Sequence, residues 1–404
     1  MLPLMMMIPD TPLSRPAIVL LAGHSKRLRG GHPWVFSNEL RMDPETKALP
    51  AGSLVTVIDA GGERLGVGSF NPHSLIAVRM LDRNADQAID QSWITARLQR
   101  ALRLRDQMIG APYYRLIHAE ADGLPGLIID RYGDVLSIQA NTAGMEVLTP
   151  LVLEGLLSLL TPRALVLKND SPVRKLEGLE TYEKIAHGAL SGPVPLIENG
   201  VTFFADLVDG QKTGWFYDQR DNRAAIAALA KGRSVIDFYT YAGGFAIQAA
   251  KAGARSVVAV DRSEGSLALA SQAAAANGVT IDPVRADCFA EMERLAAAGS
   301  RFEIVVADPP AFVKSRKDIA AGSKGYRKMA KLAAALVAPE GFLLAGSCSH
   351  HMTPDAFAEA IRQGIQQAGR SGRIVRTAGA GADHPVHPFL PESAYLKALL
   401  FQLD

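Results

Sequence analysis

Residues 234–245 read SVIDFYTYAGGF, an apolar run that closes on Asp237 and Phe238 and passes almost at once into Gly243 and Gly244. The run predicts a buried strand, and the glycines a tight turn opening the helical pattern GFAIQAAKAG. Further apolar runs, SVVAVD (256–261), EIVVAD (303–308) and FLLAGS (342–347), alternate with the helical patterns SEGSLALASQAAAANG, GYRKMAKLAAALVAPEG and TPDAFAEAIRQGIQQAG. Continuous apolar strands alternating with helices imply a parallel sheet covered on both faces. Ser263 and Thr353 are placed to cap helices, Pro354 follows at a first turn, and Asn277-Gly278 and Gly369 stop helices. Near the end, RIVRTAG and AYLKALLFQL are expected to pair as a hairpin on the sheet edge. The expectation is a seven-stranded doubly wound sheet over residues 198–404.

Ligands of open α/β sheets bind beyond the carboxyl ends of the strands. After the first strand the three-glycine spacing of a dinucleotide fold is missing, and Tyr241, Phe245 and Gln248 crowd the place where a pyrophosphate needs bare backbone. The second strand ends in Asp261, 18 residues past Gly243, which suits a side chain accepting from ribose hydroxyls. Asp287 follows the third strand, DPVRAD, where it can meet an adenine edge; for each of these aspartates plain helix capping is the competing reading. Asp237, Tyr241, Gly243, Gly244, Asp261 and Asp287 together suit a nucleoside without phosphates, as in S-adenosylmethionine. The fourth end, Asp308-Pro309-Pro310-Ala311-Phe312, offers carbonyls without competing N–H donors, a carboxylate, and an aromatic ring for a base. The fifth, Gly346-Ser347-Cys348-Ser349, brings a thiol to the same rim.

Ahead of this region the chain changes character twice. Residues 1–90 are short-stranded and turn-rich, with LVTVIDAGGERLGVGSF and LIAVRML reading as strands of a small barrel or half-barrel. Within GHSKRLRGGHPWVFSNEL, Lys26, Arg27 and Trp34 combine phosphate-neutralising cations with a stacking ring, although a small core plugged by Trp34 accounts for the same residues. Residues 91–197 are α+β. ITARLQRALRLRDQMI sets Ile94, Leu98, Leu102 and Met108 against a basic face of Arg97, Arg100, Arg103 and Arg105, and GLIIDRYGDVLSIQ turns as a hairpin at Tyr132-Gly133-Asp134. The apolar stretch 147–167 is broken by Pro150, Glu154 and Pro162; it reads as a soluble helix capped by Thr149 and started by Pro150, not as a membrane span.

Composition narrows the class. With 404 residues, 48% hydrophobic and 21% charged, the chain is globular, and a net charge of +2 does not by itself announce a polyanion partner. Residues 311–331 depart from that average, with Lys314, Arg316, Lys317, Lys324, Arg327, Lys328 and Lys331 against the single Asp318. Two cysteines, Cys288 and Cys348, are too few for a disulfide framework, so a reducing, cytoplasmic setting is expected. The start, MLPLMMMIPDTPLSRP, lacks the basic flank of a secretion signal, and no metal-ligand spacing stands out.

In the order GHPWVFSNEL, AEADGLPGLIIDRYGD, GQKTGWFYDQRDNR, DFYTYAGGFA, DPPAF, SCS and ADHP, the sequence resembles the large-subunit ribosomal RNA methyltransferase I family over nearly its whole length. These are 5-methylcytosine enzymes using S-adenosylmethionine, with a PUA-like amino terminus. The resemblance implies that Asp237, Gly243, Asp261, Asp287 and Asp308 surround the cofactor and target base. It further implies that Lys212, Thr213, Phe216 and Gln219 lie over the methionine end, and that Cys348 is the nucleophile that adds to cytosine C6 while Asp308 stabilises the protonated N3. The expected substrate is 23S rRNA, with Pro309, Pro310, Phe312, Lys314 and Lys317 on the RNA side. His350 and His351 are candidates to activate the thiol by adjacency alone. Methylation of an exocyclic base amine and a non-catalytic RNA-binding or assembly role are the rival readings. The oligomeric state is not legible, a homodimer being one option.

Overall fold

The computed structural model describes residues 15–208, 210 and 213–404. The signal-like start of the chain and Lys212 lie outside the described residues. Two compact units emerge: Pro193–Ala205, Phe216–Gly381 and Ala394–Asp404 form one, and Met1–Gly192, Asp206–Trp215 and Ala382–Ser393 the other.

In the unit containing 216–381 the strands run, in spatial order, Asp282–Arg285, Ser256–Asp261, Ser234–Phe238, Phe302–Ala307, Val337–Ser347, Lys397–Leu403 and Gly372–Ala378. The first five are parallel, and the last two form the expected antiparallel hairpin at the edge. Alternate residues of each apolar run serve opposite faces, which is why the runs are continuous. Ile236, Phe238, Val305, Ala307 and Leu343 pack with the Ile319–Leu336 and Pro354–Gln367 helices, whereas Val235, Ile304, Val306 and Leu344 pack with Ile226, Phe245 and Ala249. Ser263 and Thr353 cap their helices as read, accepting from Ser266 N–H and Ala356 N–H, and Gly278 ends its helix with φ 63°. From Ser234–Phe238 the chain first winds out to Asp282–Arg285 and then crosses back to Phe302–Ala307. The order reverses between those two central strands, so the crevice of this fold opens there.

The other unit holds two five-stranded sheets, one within residues 17–82 and one within 113–188. The segments read as separate domains share buried polar contacts: Glu177 accepts from Ser74, Arg79 and Asn71 side chains, and Trp34 Nε1–H donates to Glu120. Tyr132-Gly133-Asp134 turns the Leu127–Tyr132/Val135–Ala140 hairpin as expected. Two local readings change. The apolar helix spans Ala143–Leu160 and is capped by Thr142, not Thr149, with Pro150 inside it. Burial of Ala143, Gly144 and Met145 holds the extra turn ahead of the proline, and one face of this span-length helix lies in the core. In the Gln91–Ile109 helix, Met108 is exposed and Arg105 takes the inner position, continuing the buried stripe of Ile94, Leu98 and Ala101. Its guanidinium is paired bidentately with Asp122 (2.6 and 2.8 Å) and donates to the Asp383 carbonyl, which anchors the ADHP segment within this unit.

Removing one partner of a buried pair strands the other charge. Asp122→Ala is therefore expected to destabilise this unit by about 3–5 kcal/mol, read as a lowered denaturation midpoint, while Thr353→Ala in the other unit costs about 1 kcal/mol.

Candidate active site

Five strand ends line one rim of the seven-stranded sheet. Asp237 lies beneath it, fully buried, with its carboxylate accepting from Thr240 Oγ1–H (2.6 Å) and Ala246 N–H (3.1 Å). The second bond occupies an amide at the N-terminus of the Gly244–Lys251 helix with a carboxylate. A pyrophosphate at that N-terminus would find this amide already taken by a buried carboxyl group, which supports the sequence argument against a dinucleotide. The turn above is tightly wound: Tyr239, Tyr241 and Gly243 all lie in the left-handed region at φ 63°, 50° and 82°. Bulky residues adopt that conformation only where surrounding contacts impose it, and such sites cluster at ligand clamps. One such contact comes from Asp261, whose carboxylate accepts Tyr241 N–H and Ser263 N–H at 3.0 and 2.9 Å. The two glycines are required by the protein itself. A Cβ at Gly243 would crowd Ile247 and Ala270, and one at Gly244 would stand 2.4 Å from Arg223 Nε. Arg223 forms a buried ion pair with Glu198 behind the turn.

Asp287 is exposed and caps the Cys288–Ala297 helix, its Oδ1 accepting Ala290 N–H, so the capping reading holds for it. Asp261 and Asp287 thus present acceptors on adjacent strand ends, a set that matches nucleoside hydroxyls and amines. Phe216 packs edge-on to Tyr241, centroids 5.3 Å apart. Gln219 does something the sequence did not announce: its Nε2–H donates to Asp308 Oδ2 at 2.7 Å, and its Oε1 accepts from Asn222. Thr213 falls in the other unit, buried, where its carbonyl accepts from Tyr132 OH.

Asp308 is half-buried and pressed onto Gly346 of the neighbouring strand, where a Cβ would stand 2.2 Å from Oδ1. That glycine is thus a site residue for its missing side chain. Pro309 is buried and Pro310 exposed. Phe312, expected as a stacking face, already packs against Tyr326 (4.7 Å) and Phe289 (6.0 Å). Just past Gly346, Ser347 and Ser349 are wholly buried and Cys348 between them is half-exposed. Ser347 Oγ–H donates to Tyr326 OH, that hydroxyl is 2.8 Å from Ser349 Oγ, and Ser349 Oγ accepts Val313 N–H. Cys288 is buried, and burial raises its thiol to about 12, the condition of an inert packing residue. His350 stacks on Tyr395 at 5.0 Å.

Among the basic run, Lys328 pairs with Glu293 and lies over Phe289. Lys314, Arg316, Lys317, Lys324 and Lys331 are exposed and have no ion-pair partner among the described residues. In the other unit Lys26 is exposed, Arg27 is tied to Glu39 and lies over Phe36, and Trp34 is held by Glu120.

A parallel sheet with acceptors on two adjacent strand ends, a strained glycine turn beside its switch point and an occupied helix N-terminus defines a nucleoside-binding transferase fold. Residues 183–402 match the family model of S-adenosylmethionine-dependent methyltransferases, and residues 18–83 that of a PUA-like domain. A ribosomal RNA large subunit methyltransferase I from Shewanella denitrificans is 37% identical over 390 residues, 95% of this chain and 98% of the relative. One from an Enterobacter species is 35% identical, covering 94% and 97%. Among solved structures, a candidate SAM-dependent methyltransferase from Streptococcus mutans superposes with a TM-score of 0.81 at 20% identity, over 96% of this chain and all of that one. The chain belongs to the ribosomal RNA large subunit methyltransferase I family, and S-adenosylmethionine is its methyl donor.

Burial raises the Asp237 carboxyl from 3.8 to about 7. A folded value above the unfolded one means that its stabilisation is complete below about pH 4 and is lost as pH rises through about 7. Asp237→Asn removes that ionisation. Unfolding free energies of wild type and variant are expected to diverge between pH 4 and 8 by up to about 4 kcal/mol, the variant losing less.

Proposed function

We propose that this protein methylates C5 of a cytosine in large-subunit rRNA, with Cys348 as the covalent nucleophile. The observation that carries the reading is the placement of Asp308 and Cys348 at neighbouring strand ends: Gln219 donates to the carboxylate, which packs on Gly346, and the Ser347–Tyr326–Ser349 hydroxyls hold the residues on either side of the cysteine. Cytosine C5 is a weak nucleophile. Addition of the Cys348 thiolate to C6 forms an S–C bond and moves electron density to C5. Asp308 stabilises the protonated N3 as the ring accepts the thiolate. S-adenosylmethionine, when bound, supplies the methyl group as an electrophile beside C5. Loss of the C5 proton then lets the S–C6 bond break, returning Cys348 as thiolate. In this reading Asp261 and Asp287 take the nucleoside of the cofactor, and Tyr241 and Phe216 wall it.

Within a duplex the C5 edge and C6 face are stacked away, so the target is single-stranded or flipped out. The unpaired Lys314, Arg316, Lys317, Lys324 and Lys331 suit the phosphates flanking it. An rRNA target also suits a reducing, cytoplasmic setting, in which a free catalytic thiol persists.

Cys348→Ala is expected to abolish turnover and leave S-adenosylmethionine binding within twofold by calorimetry. RNA carrying 5-fluorocytosine, whose C5 cannot lose a proton, should trap a denaturation-resistant adduct with the wild type. Methylation without any adduct would turn the reading to an exocyclic amine.

If about four cations of the run touch single-stranded phosphates, the log–log salt slope of RNA binding from this patch is roughly −3. The Lys314→Gln, Lys317→Gln double variant should make the slope shallower by about 1.4. An unchanged slope would show the run to be bystander charge.

A further inference from the structure

The sequence leaves open what activates Cys348, and the structure offers a group that adjacency did not suggest. Lys397 begins the Lys397–Leu403 strand, and its Cα pairs with Ser347 across the sheet. The side chain is buried, and Nζ–H donates to three backbone carbonyls: Ser349 at 2.6 Å, Met352 at 2.9 Å and Tyr395 at 2.7 Å. All three of its donors are spent on neutral acceptors, and no carboxylate among the described residues pairs with it. Two of the three carbonyls belong to the turn that carries Cys348. A buried ammonium without a counter-ion is costly. Burial accordingly lowers Lys397 to about 8, and the anionic form of Cys348 is the group that pulls it back up.

The other titratable groups around this turn do not supply a standing positive charge. Asp308, pressed on Gly346, is anionic or neutral. Tyr326, bonded to both serines, is pushed up by burial and stays neutral. Tyr395 donates its hydroxyl to Asp218 at 2.6 Å. His350 stacks on Tyr395 and His351 is exposed; an imidazole needs a proton to contribute charge, whereas an ammonium already carries it.

Resting on Cys348 as the nucleophile, we propose that Lys397 is its positioning residue: the ammonium, tethered to the Ser349, Met352 and Tyr395 carbonyls, fixes the turn that presents the thiol and favours the thiolate. No bond to substrate is required of it. The charge acts on the sulfur before addition to C6 and again when the S–C6 bond breaks and the thiolate leaves.

The test is the pH dependence of Cys348 alkylation by iodoacetamide, followed by peptide mass spectrometry so that Cys288 is scored separately. In the wild type the midpoint should fall below the ordinary thiol value of about 8.5. Lys397→Met should raise it by at least one unit and slow alkylation at pH 7 about tenfold, whereas Lys397→Arg, which retains the charge, should recover most of the difference. Melting temperature and S-adenosylmethionine binding report whether each variant is folded. A wild-type midpoint at or above about 8.5 overturns the proposal even if Lys397→Met does not fold, and so does an unshifted midpoint in a folded Lys397→Met. The fluorocytosine adduct is read independently: its absence in a wild type with a lowered midpoint removes the cytosine reading and leaves the effect of Lys397 on the thiol standing.

Discussion

The hydrogen bond from Val313 N–H to Ser349 Oγ joins the loop after Asp308 to the loop after Ser347, and the rim of the sheet is organised around it. Together with Asp308 packed on Gly346, it ties the thiol-bearing turn to the carboxylate-bearing one, the kind of fixed geometry that a catalytic pair requires. Tyr326 extends the link into the Ile319–Leu336 helix by meeting both serine hydroxyls. Alternation then does the rest: with Ser347 and Ser349 turned inward, the residue between them faces out. Serines flanking the cysteine are thus the means by which a polar loop is buried with its hydroxyls satisfied while one sulfur remains accessible.

Much of this was legible because strand ends announce themselves. An apolar run that stops at an acidic residue or at glycine marks both an edge of the core and a rim position, and Asp237, Asp261, Asp287, Asp308 and Cys348 were each found that way. What was not legible came by tertiary routes. Gln219 precedes the first strand in sequence yet reaches the fourth strand end, with Asn222 holding its amide; Tyr326 arrives from the Ile319–Leu336 helix, and Lys397 comes from the last strand but one in spatial order. Lys397 could have been noticed, since it is a charge at the mouth of an otherwise apolar strand, KALLFQL. Nothing in the sequence gives a reason for Gly346, because that reason is the Asp308 carboxylate on another strand.

The misread positions share a physical cause. Arg105 was assigned to the basic face because charge usually seeks water, but position outweighed composition once Asp122 was there to pair with it. Thr149 and Pro150 make a good helix start in isolation, and burial of three residues upstream outweighed that preference. In both, local chemistry lost to a partner far along the chain. Phe312, offered by the sequence as a ring to stack on a base, is itself partly covered by Phe289 and Tyr326 from elsewhere in the chain.

The near-neutral total charge hides a division of labour within the methyltransferase unit. Asp261, Asp287 and Asp308 give one part of the rim negative charge, whereas Lys314, Arg316, Lys317, Lys324 and Lys331, between the fourth and fifth strands, have no ion-pair partner among the described residues. Acidic strand ends and a basic run therefore lie side by side on one unit, so a polyanion near it meets repulsion at the one and attraction at the other. Within the run, Lys328 is drawn back onto Phe289 and Glu293, and Arg327 lies within electrostatic reach of Glu359. Net charge therefore says little about such a protein. What matters is how charge is segregated along the rim, by side chains that a composition count averages to nothing.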